Sequence, residues 1–191
     1  MGASMRVLSS IRQMLQIRRQ RIFYLDDPAS IMNVNMKTDV TISEVTFYNV
    51  ERLIDFRSKR FVATFRKFLK EGQCGVYAWL DSKVVGHAWA KVCRPSRCRV
   101  NGYMDIYKGD ALIHYCNVSE AHRGQIIYPL MLVALCQRLF SQAEVKRILI
   151  DTEFDNKASL QGIAKVGFKL LGTGTYVQFR GRLLFKRFTP A

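Results

Sequence analysis

Apolar residues recur along this chain with two periods, and the change from one period to the other marks the predicted elements. Residues 39–47 alternate between apolar and polar side chains as a β-strand does, and residues 49–72 carry apolar side chains at helical spacing. Two further strands, CGVYAWL and KVVGHAWAKVC, are rich in valine and aromatic residues and flank a tight turn at Asp81 and Ser82. The first half of the chain therefore predicts a strand, a helix and a β-hairpin.

The second half alternates strands with helices after a basic loop at residues 94–110. The predicted elements are the strand 111–118, a helix, the strand 147–154, a short helix within 156–167, and a terminal hairpin that turns at Arg180 and Gly181. Strands interrupted by helices, with an antiparallel pair before them and a hairpin after them, predict a mixed α/β sheet flanked by helices. We expect one domain over residues 34–191, preceded by a basic N-terminal arm over residues 1–33.

The charge balance indicates acidic partners. The sequence holds 30 lysines and arginines against 15 aspartates and glutamates, which gives a formal net charge of +15. The residues before Asp26 are basic without any acid, and a second acid-free block extends from Arg57 to Lys70. Such charge favours nucleic acid, an anionic membrane surface, or phosphorylated substrates and cofactors, although a charge run is also typical of a solvated helix face.

Localisation and metal content follow from what the sequence lacks. No apolar run is long enough for a transmembrane helix, and residues 1–20 lack the continuous apolar stretch of a secretory signal, so we expect a cytoplasmic protein. Five cysteines, an odd number, suit free thiols in a reducing compartment. Cys93 and Cys98 are close in sequence, but no second Cys/His pair completes a zinc site, so we expect no metal.

The stretch CNVSEAHRGQIIYPLMLVAL, residues 116–135, leads from a strand into an apolar helix. A helix N-terminus presents unpaired N–H groups and a partial positive charge, so this junction predicts an anion site, to which Arg123 adds charge and Gly124 close backbone approach. The alternative is an ordinary strand–helix turn. Because proline is best tolerated in the first helical turn, Pro129 predicts a helix that starts late, near Tyr128, or else a kinked helix from Gly124.

Two segments together resemble the GNAT superfamily of N-acyltransferases. The first matches the phosphate loop V-x-x-x-x-R-G-x-G-x-G and the second matches N-x-x-[AS]-x-x-x-Y-x-x-x-G-F; the matching residues are Val118, Arg123, Gly124, Asn156, Ser159, Gly167 and Phe168. The order of elements over residues 39–188 is also similar to that of the family. The resemblance implies a GNAT-type, mostly antiparallel central sheet with a V-shaped opening between two strands, where acetyl-coenzyme A or another acyl-coenzyme A binds.

The resemblance also implies a role for individual residues. Arg123, Gly124, Gln125, Ile126, Ile127 and Tyr128 would hold the pyrophosphate, Asn117 and Val118 would pair with the pantetheine arm, and Asn156 and Ser159 would flank that arm near the thioester. Three positions depart from the pattern. Ile126 and Tyr128 replace glycines of the loop, and Ile163 replaces the tyrosine that protonates the leaving thiolate in many members. That general acid is therefore absent or comes from elsewhere.

His114 is the first candidate for a general base, since a protonated amine cannot attack a thioester. Strand alternation predicts Leu112, His114 and Cys116 on one face, with Tyr115 and Asn117 on the other. His114 also matches the second of two histidines in the arylalkylamine branch of the superfamily. A histidine that titrates near neutrality suits the task, although a lone strand histidine is more often a hydrogen-bonded core residue.

Two other side chains are candidates for the chemistry. Glu153 ends the neighbouring strand with Asp151 on the same face, so either carboxylate would bind an amine or relay its proton, or else lie at a solvent-exposed strand end. Cys116 would form a covalent acyl-enzyme, although buried cysteines are commonly inert.

The sequence thus predicts an N-acetyltransferase that acts on a small primary amine, for which an amino sugar on a nucleotide carrier is one option. In one alternative, an acyl carrier protein delivers the thioester and docks on the Arg57–Lys70 block. In the other, a non-catalytic GNAT-fold protein binds nucleic acid or an anionic surface such as a membrane. Nucleic acid is disfavoured because the basic residues are spread over several segments without a recognisable binding motif.

Overall fold

The computed structural model describes residues 15–32, 34, 38–100, 102–180 and 182–191. In chain order its strands and α-helices are β1 (Leu15–Leu25), β2 (Thr41–Glu44), α1 (Arg60–Lys70), β3 (Cys74–Leu80), β4 (Lys83–Val92), β5 (Arg97–Val100), β6 (Met104–Tyr107), β7 (Asp110–Val118), α2 (Ile127–Phe140), β8 (Arg147–Glu153), α3 (Lys157–Val166), β9 (Lys169–Phe179) and β10 (Arg182–Pro190). Short 3-10 helices occupy Pro28–Ser30, Val50–Asp55 and Glu120–His122.

Eight strands form one sheet, in the order β10-β9-β1-β8-β7-β4-β3-β2, and β5 and β6 form a separate hairpin. Among the described strands, β7 and β8 run parallel and every other neighbouring pair runs antiparallel. This is the mixed, mostly antiparallel sheet predicted from the sequence. No helix of the described residues is long and apolar enough to cross a membrane.

Each face of the sheet carries a core. On one face, which we call the helix face, α2 and α3 bury Met131, Leu135 and Ile163 against the central strands. On the opposite face, which we call the hairpin face, α1 packs Phe65 against Trp89, and the β5–β6 hairpin covers Leu112. Both faces are buried near β4 and β7, which explains why these two strands read as nearly continuous apolar runs.

Gly167 ends α3 as the sequence predicts. Its φ of 99° lies in the left-handed region, and a Cβ atom there would lie 2.3 Å from the carbonyl oxygen of Ser30. Only glycine therefore lets the chain leave α3 so close to the 3-10 turn at Pro28–Ser30.

Two predicted elements have different forms in the structure. The helix predicted over residues 49–72 is divided into the 3-10 helix Val50–Asp55 and α1, because the Asp55 carboxylate accepts the Val84 N–H at 2.8 Å and ties this segment to the neighbouring turn. The basic loop predicted at residues 94–110 is the β5–β6 hairpin. Arg97 and Arg99 both bind the Asp105 carboxylate, at 2.6 and 3.0 Å, so this one carboxylate offsets part of the positive charge of the hairpin.

Part of the predicted N-terminal arm is a central strand of the sheet. β1 pairs with β9 along Leu15–Tyr24 and with β8 along Gln20–Leu25. The arginines of β1 make this segment look like a surface arm in the sequence. In the structure, Arg19 and Arg21 stack their guanidinium groups on the Phe154 ring, 4.8 and 4.3 Å from its centroid. The boundary predicted at residue 33 is therefore wrong for residues 15–25, and residues 1–14 lie outside the described part of the chain.

Candidate active site

A cleft opens where β7 and β8 separate. The two parallel strands pair only from Asp110 to Ile113 and from Arg147 to Ile150. Beyond these residues β7 continues to Val118 alongside β4, and β8 continues to Glu153 alongside β1. The diverging ends enclose a cleft of about 380 Å³.

A β-bulge at Tyr115 shapes the β7 wall of the cleft. Three residue steps on β7, from His114 to Asn117, oppose two steps on β4, and Tyr115 has a φ of 54°. The extra residue keeps Tyr115 on the hairpin face, where its ring contacts Phe68, and moves Cys116 to the helix face. The predicted alternation, with His114 and Cys116 on one face, is therefore wrong beyond the bulge.

The cleft crosses the sheet and is lined from both faces. The lining side chains are Arg18, Gln20, Tyr103, Ile113, His114, Tyr115, Cys116, Tyr128, Ile150, Asp151, Thr152, Glu153, Asn156 and Ser159. Six residues predicted for the site thus come together here: His114, Cys116, Tyr128, Glu153, Asn156 and Ser159. The other seven, Asn117, Val118, Arg123, Gly124, Gln125, Ile126 and Ile127, lie outside this lining.

His114 is buried in the cleft wall, where its Nε2 lies 2.8 Å from Oε1 of Gln73. Its Nδ1 has no hydrogen-bond partner among the described residues. Burial and, less strongly, the charge of Lys91 lower the pKa of His114 to about 4, against the opposing charge of Glu71. The imidazole is therefore neutral at physiological pH and has one unshared lone pair.

The acidic candidates differ in their surroundings. Asp151 accepts a 2.6 Å hydrogen bond from the Tyr103 hydroxyl, and burial raises the pKa of its carboxyl group. Glu153 is exposed at the end of β8. Inside the cleft Asp151 is thus a desolvated carboxyl group with a fixed donor, and Glu153 lies at the mouth.

Cys116 is a poor nucleophile in this setting. Burial raises the pKa of its thiol to about 12, so the thiolate is scarce at neutral pH. Covalent catalysis by Cys116 has no support in this environment, and the bulge separates Cys116 from the face that carries His114.

Tyr128 brings a hydroxyl group into the cleft from the start of α2. Its hydroxyl oxygen accepts a 3.2 Å hydrogen bond from Ser159 Oγ, and its ring lies so close to α3 that a Cβ atom on Gly162 would be 2.4 Å from Tyr128 Cδ1. Asn156 caps α3, because its side-chain oxygen accepts the Ser159 N–H at 3.1 Å. Position 163 is an isoleucine whose side chain is buried in the core. The tyrosine that lines the cleft beside α3 comes from α2 instead.

The loop before α2 exposes backbone donors. α2 begins at Ile127, close to the late start that Pro129 predicts, and the Ile127 side chain is fully buried in the core rather than available to a ligand. None of the N–H groups from Gly124 to Tyr128 donates a hydrogen bond within the described part of the chain. A Cβ atom on Gly124 would meet nothing within 4 Å, so this backbone faces open space.

Arg123 stands beside these donors. Its guanidinium group lies 3.3 Å from the Glu120 carboxylate, and both side chains are exposed. Such an exposed ion pair is weak, so Arg123 is free to turn toward an anionic ligand. Over the described residues, no group of three or more histidine, cysteine, aspartate or glutamate side chains is arranged to hold a metal ion.

Sequence patterns missed several residues of the cleft. Arg18 and Gln20 come from β1, for which the apolar run Ile22–Leu25 is the available signal. Gln73, which lies behind His114, has no local signal, because the two residues are 41 positions apart in the chain.

The fold recurs in solved structures at low identity. A GCN5-related N-acetyltransferase-like protein from Streptococcus suis matches with a TM-score of 0.63 and 12% identity, over 93% of this chain and 67% of that one. A GCN5-related N-acetyltransferase from Kribbella flavida gives 0.59 and 12%, over 91% and 63%. The aminoglycoside N-acetyltransferase AAC(6')-Iy in complex with CoA gives 0.52 and 18%, over 68% and 91%.

The chain spans about two thirds of the length of the first structures it matches, 66 and 63%. No curated protein sequence matches it. The family model described as an acetyltransferase (GNAT) domain matches residues 60–176, which include α1, the cleft strands and both helices of the helix face. The match covers more than half of the chain and agrees with the fold, so this protein belongs to the GNAT family of acetyltransferases.

Proposed function

We propose that this protein transfers an acyl group, most simply acetyl, from coenzyme A to a primary amine. The observation that carries the proposal is the cleft between β7 and β8, which crosses the sheet. Unpaired N–H groups lie at the start of α2, on the helix face, and His114 and Asp151 line the cleft from the hairpin face. An anionic thioester donor and a cationic amine then enter from opposite faces and meet inside.

The start of α2 suits the phosphates of coenzyme A. Backbone N–H groups at a helix N-terminus attract anions, and Arg123 adds a side-chain cation beside them. Tyr128 turns its ring toward Gly162 on α3, and the backbone at Gly124 stays open although the later glycines of the family loop are replaced. The pantetheine arm would then run past Asn117 and Val118 into the cleft.

The proposed reaction is direct attack in a ternary complex. The bound ammonium group first releases one proton to solvent, and the neutral amine nitrogen attacks the thioester carbonyl carbon. As the C–N bond forms and the C–S bond breaks, the nitrogen gives its second proton to His114 Nδ1, directly or through a water. Such base catalysis typically contributes about 10²- to 10⁴-fold. Asp151 inside the cleft and Glu153 at its mouth attract the ammonium group before it loses its proton.

Tyr128 is the proposed proton donor to the leaving thiolate. Burial raises the pKa of its hydroxyl group, which therefore carries a proton at neutral pH. The hydroxyl gives this proton to the sulfur and recovers one from solvent. This assignment supplies, from α2, the acid that Ile163 cannot provide.

The acceptor is a small primary amine. An amino sugar on a nucleotide carrier remains one option for the acceptor, because Arg97, Arg99 and Lys186 share the single Asp105 carboxylate and keep a net positive charge that phosphates can use. The carboxylates of the cleft support an amine whose own charge is positive. Tyr103 and Tyr115, which line the cleft from the hairpin face, support an acceptor with apolar surface next to its amine.

Calorimetric titration with acetyl-coenzyme A tests the donor half. Arg123→Ala should weaken binding about tenfold, the effect of losing one charge-assisted contact to phosphate, and Glu120→Ala should strengthen it by freeing Arg123. Arg94→Ala is the matched control. Arg94 follows the end of β4 and forms a similarly exposed ion pair with Glu144.

Two outcomes would count against the proposal. If the intact protein does not bind acetyl-coenzyme A, the coenzyme is not the donor, and titration with an acylated carrier protein becomes the next measurement. If Arg94→Ala weakens binding as much as Arg123→Ala does, general charge rather than the α2 junction attracts the ligand.

A further inference from the structure

We propose that Gln73 and Glu71 are positioning residues, which hold His114 in the tautomer that leaves Nδ1 as the proton acceptor. This inference rests on the proposed function for its consequence in catalysis. Its structural content, the tautomer of His114, can be tested without any activity.

The amide of Gln73 has a fixed orientation. Gln73 lies between α1 and β3 and is buried, and its Nε2 donates a 2.8 Å hydrogen bond to Oε2 of Glu71. A carboxylate can only accept, so the amide nitrogen must face Glu71 and the amide oxygen must face the other way. The Gln73 backbone N–H is bound to the Phe68 carbonyl oxygen at 3.0 Å, which fixes the residue against the end of α1.

The fixed amide sets the proton on the imidazole. Oε1 of Gln73 lies 2.8 Å from Nε2 of His114, and an amide oxygen is only an acceptor. Nε2 must therefore carry the hydrogen, and Nδ1 carries the lone pair. Nδ1 is buried and has no partner among the described residues, so it is the ring nitrogen whose lone pair is free to take a proton.

The same chain of hydrogen bonds stays in place when the imidazole becomes charged. When Nδ1 takes a proton, Nε2 keeps its hydrogen and its bond to Gln73, so no rearrangement accompanies the transfer. Glu71 contributes negative charge behind the amide, and Lys91 contributes opposing positive charge. The Phe68 ring, whose centroid lies 5.2 Å from that of His114, packs against the imidazole and limits its rotation.

Nitrogen-15 NMR of the histidine side chains tests the tautomer directly. The sequence has three histidines, His87, His114 and His122, and His114→Gln identifies the signals of interest. We expect a protonated Nε2 and an unprotonated Nδ1 at pH 7. Gln73→Met keeps the side-chain length and removes the acceptor, so it should give a mixture of tautomers, whereas Gln142→Met, which removes a half-buried glutamine amide bound to Cys74, should leave the His114 signals unchanged.

Kinetics with an accepted amine then tests the consequence. Gln73→Met should lower kcat about 10- to 100-fold with little change in KM, since it removes part of the gain from a positioned base. Gln73→Glu should restore the fixed tautomer and move the acid limb of the pH profile to higher pH, because a carboxylate would face Nε2.

A signal from Nδ1–H in the intact protein, or an unchanged His114 spectrum in Gln73→Met, would overturn the inference. Absence of acyl transfer together with the expected spectra would instead sink the proposed function and leave the tautomer assignment standing.

Discussion

Mild acid should destabilise this protein through its buried histidines, and His87 is the clearest case. Its ring lies among Phe56, Phe65 and Tyr115, with centroids 4.8 to 5.9 Å away. Burial and, less strongly, the charge of Arg57 lower the pKa of His87 to about 3, and the Tyr115 backbone opposes only part of this shift. Since the folded pKa lies below the unfolded one, stability is fully present above about pH 6.5 and is lost as the pH falls toward 3.

The size of the effect follows from the two pKa values. At pH 5 a histidine that titrates near 6.5 when unfolded and near 3 when folded costs about 2 kcal/mol relative to pH 8. His114, whose pKa is lowered to about 4, costs about as much. Together they remove about 4 kcal/mol, a large share of the roughly 5–15 kcal/mol that stabilises a typical domain.

Urea denaturation at a series of pH values between 8 and 5 measures this loss. His87→Phe keeps an aromatic ring in the aromatic cluster and should reduce the loss from about 4 to about 2 kcal/mol. His122→Gln is the matched control for the loss of one histidine, because His122 lies in the 3-10 helix before α2 and outside the aromatic cluster. Burial raises the pKa of Asp151, so this residue favours the folded state more strongly as the pH falls. Asp151 is present in every variant, and its contribution therefore cancels in the differences between them. If His87→Phe loses as much stability as the intact protein, His87 is not buried in its neutral form and the reasoning fails.

Two further substitutions test a side chain of the cleft and an ion pair at the start of β7 and β8. Tyr128→Phe keeps the ring against Gly162 and removes only the hydroxyl group. In steady-state assays kcat should fall about 10- to 100-fold, while the affinity for acetyl-coenzyme A should stay within about threefold. An unchanged kcat would remove Tyr128 from the mechanism. Asp110→Asn should cost about 2 to 4 kcal/mol of unfolding free energy, because Arg147 donates two hydrogen bonds of 2.9 and 3.1 Å to a nearly buried carboxylate. Denaturation of Asp110→Asn combined with Arg147→Met should show a smaller loss than the sum of the single losses, and strict additivity would contradict the pairing.

The elements that the sequence predicts well are those whose cause is local. The turn at Asp81 and Ser82 has positive φ angles at both residues, as a two-residue hairpin turn requires, and Pro129 places the start of α2 within a residue or two. Gly167 ends α3 with a φ of 99°, in the left-handed region that a glycine after a helix commonly adopts. Each of these features is decided within a few residues of chain.

The features that escaped prediction depend on contacts between distant segments. The bulge at Tyr115 is a shift in the register between β4 and β7, so the sequence of β7 alone does not reveal it. The tautomer of His114 depends on Gln73, a residue that follows Gly72 in an ordinary turn. Candidate residues could therefore be gathered from motifs, whereas the face that each one occupies could not.

The misassigned β1 also explains how the cleft can exist. Beyond Ile150, β8 no longer pairs with β7, and its backbone is held from the other side because Asp151 and Glu153 pair with Ile22 and Gln20 of β1. Likewise β7 is held by β4. Each wall is thus anchored on its outer edge, and its inner N–H and C=O groups remain available to an extended ligand that carries amide groups of its own. The segment that looks like a basic arm in sequence is in this way a structural requirement of the site, because without β1 the free end of β8 would have no partner on either side.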